Sequence, residues 1–157
     1  MIVEIVPATL AHAEVIAANA RQADIDEMWA AARHSPFDAM RGGLRLTRRA
    51  RTGLIDGEPV CMFGVTPMSL IRGWGAPWMV ASARMDELRA QKELLRRARG
   101  VFAEWKHEYA LLMNFVDERN LAAQRWIAWL GFDLKDTYTI GTDAMPFRMF
   151  IWRRDNV

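Results

Sequence analysis

The sequence predicts an α/β fold of the α+β kind: one domain over residues 1–157, three layers, with a central mixed β-sheet flanked by helices. Three observations carry this reading. Short β-branched and aromatic runs alternate with longer stretches of helical period. Asp56-Gly57 stands between two apolar runs, the strongest short hairpin signal in the chain. A long amphipathic stretch, 86–109, separates apolar runs at 77–81 and 111–116, so these two strands are expected to be parallel neighbours joined by a helical crossover.

The elements follow in order. Residues 2–6 form a β-branched run ended by Pro7, a first strand. Thr9 caps a helix over 10–20, with Leu10, Ala13, Ile16 and Ala17 at helical spacing. A second helix over 25–33 carries Ile25, Met28, Trp29 and Ala32 on one stripe. Ser35-Pro36 is a cap followed by proline at the first helical position, and Gly42-Gly43 is expected to weaken or kink the helix that starts there. Strands over 52–55 and 59–65 flank the hairpin turn, and Gly73-Trp74-Gly75 opens a loop. On the long helix Leu94, Leu95, Ala98, Val101, Phe102, Trp105 and Tyr109 make the apolar face. The run 111–116 lacks alternation, which suggests burial on both faces. A last helix over 120–130 is closed by Gly131 as a left-handed C-cap, and strands from Phe132 and over 146–152 complete the order.

Composition narrows the function classes. The chain is 52% hydrophobic and 25% charged, as globular domains are. Its formal charge of +2 is too small for coating nucleic acid by bulk charge. One cysteine, Cys61, excludes a disulfide framework; it lies in an apolar strand and reads as a buried, unreactive thiol. The longest uncharged run, 59–71, spans 13 residues with two prolines and a glycine, too short and broken for a membrane helix. The start carries Glu4 and no basic segment, unlike a secretory signal, so a soluble intracellular protein is expected. His12, His34 and His107 show no metal-ligand spacing, and no metal is expected. Walker, dinucleotide and nucleophile-elbow patterns are missing, which disfavours NTPase, dinucleotide and hydrolase readings.

The stretch Asn120-Leu-Ala-Ala-Gln-Arg-Trp-Ile-Ala-Trp-Leu-Gly131-Phe132, together with the element order, resembles the last conserved helix of the GNAT acyltransferases. Pro77-Trp78-Met79, Trp105-Lys106-His107-Glu108-Tyr109, Asn114, Asp117, Arg125-Trp126 and Pro146-Phe147 extend the likeness over residues 74–150. It is to GNAT-like proteins of short-tailed phages related to the internal virion protein A group. The resemblance implies a GNAT fold and, in an active member, acetyl-CoA held around Val80, Ala81 and Asn120. It also implies a glycine-bearing loop that cradles pyrophosphate at the start of the long helix. Here that loop is 81–88: no glycine occurs between Gly75 and Gly100, and Asp86 and Glu87 oppose a diphosphate while Arg84 partly offsets them. Ile127 stands where many members have a tyrosine acid, leaving solvent or Tyr138.

The leading expectation is therefore a phage-encoded accessory protein, an internal or head–tail component of the virion acting by protein binding, with a degraded acyl-transfer site, no catalytic residue and no cofactor. Its alternative is an acetyl-CoA-dependent N-acyltransferase with an atypical phosphate loop. Arg41, Arg45, Arg48 and Arg49, in a stretch with no acid between Asp38 and Asp56, are candidate partner contacts, as is Trp126. Arg41, Arg45 and Arg48 would share a face if helical. The partners implied are other phage virion proteins or a host protein, with nucleic acid a further candidate through the arginines, no membrane, and self-association open. Virion or host cytoplasm is the expected location.

Overall fold

The computed structural model describes residues 1–155. One seven-stranded sheet runs through it: β1 (Val3–Pro7), β2 (Arg51–Ile55), β3 (Glu58–Ser69), β4 (Trp74–Ala81), β5 (Leu111–Asp117), β6 (Asp133–Ile140) and β7 (Met145–Arg153), in the order β1-β2-β3-β4-β5-β7-β6. Each neighbouring pair is antiparallel except β4 and β5, which start side by side and parallel, as the crossover requires. The helices are α1 (Leu10–Ala18), α2 (Gln22–Ala32), α3 (Pro36–Leu46), α4 (Leu88–Glu108) and α5 (Leu121–Leu130).

Alternation along the central strands splits the core in two. Met62 of β3 and Val80 of β4 pack with Ala13, Ile16 and Met40 of α1 and α3. Their neighbours Cys61, Phe63 and Ala81 point to the opposite layer, against Leu94, Leu95 and Val101 of α4 and Trp126 of α5. A second apolar group on that side, Phe102, Leu112, Val116, Phe132 and Phe150, ties α4 to β5 and β7.

The local signals hold where they are local. Thr9 and Ser35 cap α1 and α3, accepting from the backbone N–H of His12 at 3.2 Å and Asp38 at 3.1 Å. Asp56 and Gly57 both have positive φ, as the tight hairpin turn demands. Gly131 ends α5 at φ 103°.

Three boundaries differ for tertiary reasons. Gly42-Gly43 does not break α3, because Gly43 is where Trp78 packs: a Cβ there would stand 2.6 Å from the indole. Gly73-Trp74-Gly75 is not an open loop; β4 begins at Trp74 and pairs at Gly75 with both Pro67 and Leu112. The long helix starts later than expected, after a 3₁₀ turn over Ala83–Asp86.

Candidate functional site at a gap in the sheet

β4 and β5 pair only at Trp74 with Leu111 and at Gly75 with Leu112. Beyond that they diverge, and the facing edges lose their ladder. Backbone groups left so must find other partners. Near the closed end Asn114 bridges the strands: its Nδ2 donates to the Pro77 carbonyl at 2.9 Å, and its Oδ1 accepts from the Phe115 N–H at 2.8 Å. At the wide end α2 supplies the partners. The Arg21 N–H donates to the Ala81 carbonyl at 3.0 Å, and Asp24 Oδ2 accepts from the Ala81 N–H at 2.8 Å. Across the gap Glu27 Oε1 accepts from the Asp117 N–H at 2.6 Å. Asn120, the N-cap of α5, donates Nδ2 to Asp24 Oδ1 at 3.3 Å and accepts from the Ala123 N–H. Two carboxylates one turn apart on α2 therefore sit on the two lips of the gap.

Arg21 is buried and holds this arrangement in place. Its guanidinium donates to Asp24 at 2.8 Å and to Asp86 of the 3₁₀ turn at 2.9 Å, and it lies 4.5 Å over the Trp126 ring. Behind the lips is a cavity of about 130 Å³. Met79, Leu94, Phe102, Trp105, Val116 and Ile127 make its apolar wall, and Asp24, Glu27 and Asn120 its polar end. An apolar cavity of roughly this size, ~150 Å³, holds a benzene-sized group.

Burial pushes the Glu27 carboxyl up to about 8; the Asp117 N–H works against this, and the neighbouring Asp24 and Asp117 carboxylates add to it. Glu27 thus titrates in the range where a general base is effective. Cys61, another wall residue, is 2% exposed, and burial raises its thiol to about 12, so it is inert as expected.

No family model and no curated protein sequence matches the chain. Solved structures do. An N-acetyltransferase from Staphylococcus aureus Mu50 is 13% identical with a TM-score of 0.73, covering 98% of this chain and 99% of its own. The yncA protein of Salmonella typhimurium, solved with its cofactor acetyl-CoA, is 12% identical with a TM-score of 0.72, covering 99% and 95%. An aminoglycoside acetyltransferase in complex with coenzyme A is 14% identical with a TM-score of 0.67, covering 98% and 95%. The fold is that of the GNAT acetyltransferases.

Against this GNAT frame the residues singled out from sequence fall into three groups. Ala81 and Asn120 meet at the gap through Asp24. Val80, their expected companion, faces the α1 and α3 layer, because alternate side chains of a strand point to opposite faces. Trp126 is 4% exposed, so it is not a surface contact; Trp129, 44% exposed beneath Arg99, has that position. The arginines form no single helical face: α3 ends at Leu46, leaving Arg48 and Arg49 in the turn that follows. Arg41 pairs with Asp38 and Arg49 with Glu108, while among the described residues Arg45 and Arg48 have no ion-pair partner.

The expected repulsion at the loop before α4 is also changed. Asp86 is taken up by Arg21, and Glu87 caps α4 without a side-chain hydrogen bond, so among the described residues no side chain bonds the first N–H groups of the helix. Arg84 turns to the hairpin instead, toward Glu58 at 2.9 Å. Tyr138 stacks edge-on against Phe115 and does not line the cavity. Sequence reasoning missed Asp24 and Glu27. The signal was present as two acids three residues apart on a short helix following Arg21, but only the gap gives it meaning.

Proposed function

We propose that the chain is an acyl-CoA-dependent N-acyltransferase in which Glu27 accepts the proton shed by an amine. The observation that carries this is the position of the Glu27 carboxylate on the lip of the β4/β5 gap, bonded to the Asp117 N–H and facing the cavity. Ala81, Asn120 and the first turn of α4 would hold the donor. The gap between β4 and β5 suits an extended arm, and the helix start, without a side-chain cap among the described residues, suits a phosphate despite the lack of glycine. When bound, an acyl-CoA supplies a thioester whose C–S bond breaks, sulfur keeping the electron pair, as the amine nitrogen forms the new C–N bond. Glu27 takes the amine proton and returns it to solvent, and solvent protonates the sulfur, since Ile127 carries no proton. Asp24, held between Arg21, Asn120 and Ala81, fixes the α2 end of the gap so that Glu27 keeps its place.

The test is titration calorimetry with acetyl-CoA, followed by transfer assays on polyamines, aminoglycosides and lysine peptides. Micromolar affinity with turnover is expected; no heat up to millimolar acetyl-CoA overturns the reading.

A second reading, an accessory role in a phage virion, rests on the sequence likeness over 74–150. It is favoured by the β3–β4 connection, where Leu70 is 86% and Ile71 100% exposed, and where Arg48 beside Leu70 has no ion-pair partner among the described residues. Finding the protein in purified particles, and not free in lysate, would support it.

A further inference from the structure

The outward face of α4 takes no part in the cavity, and it concentrates charge. From Leu88 to Ala103 the helix carries five basic residues and one acid, in a chain whose formal charge is only +2, so the rest of the molecule is net acidic. Its inward face is filled by Ala90, Leu94, Leu95, Val101 and Phe102. On the side away from them stand Arg89, Lys92, Arg96 and Arg99, all exposed, at positions i, i+3, i+7 and i+10. With a rise of about 1.5 Å per residue the row runs about 15 Å along the helix. Among the described residues Arg96 meets Glu93 at 3.2 Å, and the other three have no ion-pair partner. Like charges at this spacing repel, so the row costs the helix stability. α5 extends it: Arg99 lies 4.2 Å over the ring of Trp129, which is 44% exposed, and Arg125 is exposed one turn before that ring.

We propose that this face of α4, continued onto α5, binds a single strand of nucleic acid. A straight row of cations suits a linear polyanion, and its length spans several successive phosphates of an extended strand. Bases stack on aromatic rings and on guanidinium planes alike, and the Arg99–Trp129 pair presents both at the end of the row. A duplex keeps its bases stacked within itself and would leave that pair unused. A lipid surface asks for an apolar face to insert, and the apolar face of α4 is buried in the core. The small overall charge rules out coating and leaves room for one local contact. The surface lies apart from the β4/β5 gap, so this proposal and the acyltransferase reading stand or fall separately.

The test is fluorescence anisotropy of labelled oligo(dT) and oligo(rU), about 20 nucleotides long, with the full chain at about 50 mM salt. Micromolar binding is expected, with a slope of log affinity on log salt of about −2 to −3, as for three or four phosphate contacts on a single strand. Lys92→Gln, Arg96→Gln and Arg99→Gln combined should weaken binding at least about tenfold and flatten the slope, with the thermal midpoint held or raised as the repulsion is relieved. Trp129→Ala should weaken binding about fivefold and keep the slope. Tighter binding of either strand assigns the sugar and supports the proposal, as does equal binding of both. No binding of either strand overturns it, and so does a triple variant that binds like wild type. A duplex bound more tightly than the single strands, or phosphatidylserine vesicles bound where the strands are not, overturns it as well. Competition by acetyl-CoA at matched ionic strength would assign these cations to that ligand's phosphates and overturn it too.

Discussion

Helix α4 walls two clefts of opposite character. Along its middle turns, from Leu94 to Trp105, lies the 130 Å³ cavity under the β4/β5 gap, apolar except for the carboxylates and amide at its lip. Toward its last turn lies a larger cleft of about 350 Å³, lined by Arg48, Arg49, Arg51, Glu104, Glu108 and Tyr109. The second carries more charge but less chemistry. Its pairs, Arg49 with Glu108 and Arg51 with Glu104, are open to water, where such a pair is worth about 0–1 kcal/mol. At the gap, fewer charges are enclosed, and burial raises Glu27 into the working range of a base. What matters is how many charged groups lose water and what holds them when they do.

The largest effect expected from this contrast is at Glu27. Glu27→Gln keeps an oxygen for the Asp117 N–H but cannot take a proton, so the transfer rate should fall by about 100-fold or more, as for loss of a general base. In wild type, kcat/KM should rise as pH passes through about 8; an activity that is flat from pH 6 to 9 removes the base assignment. The same group predicts a stability trend that needs no substrate. Because its carboxyl rises from 4.5 to about 8 on folding, the folded chain holds a proton there that the unfolded chain has released. Stability from this group is full below pH 4.5 and is lost as pH climbs toward 8. E27Q should therefore unfold later than wild type at pH 8 and with it at pH 4.5, measured by denaturant titration at both values.

The next effect is on the sheet itself. Asn114→Ala strips the side chain that bridges the strands, leaving the Pro77 carbonyl and Phe115 N–H without it. A loss of about 1–3 kcal/mol is expected from chemical unfolding. A neutral result would mean that the gap needs no internal bridge.

Gly131→Ala places a Cβ on a residue at φ 103°, in open space but in a strained conformation, and should cost roughly 1 kcal/mol. The smallest effect belongs to the basic cleft. Glu108→Gln, which breaks the exposed pair with Arg49, should shift stability by less than about 0.5 kcal/mol, and less still in high salt. A larger loss would show that this cleft, too, uses its charges structurally.

The capped starts of α1 and α3, the Asp56-Gly57 turn and the Gly131 C-cap were legible because each is settled within a few residues. The inward stripe of α4 was legible because it runs long enough to set its own face. α2 was legible only in part. Of its stripe of Ile25, Met28, Trp29 and Ala32, Met28 packs against the core, yet Trp29 and Ala32 are exposed while Arg21 and Asp24 are buried. β5 was expected to be buried throughout, but its middle residues, Met113 to Phe115, are only partly so, because the sheet opens beside them.

By itself, then, the sequence determined the elements, their order and the parallel crossover, since periodicity, caps and turns act over short range. Which face of α2 turns inward was decided only in the tertiary structure. Diverging β4 and β5 leaves the Ala81 and Asp117 N–H groups without strand partners, and buried donors must be paired. Asp24 and Glu27 meet that demand, so the helix presents its acids and leaves Trp29 exposed, and Glu27 acquires the surroundings that set its pKa.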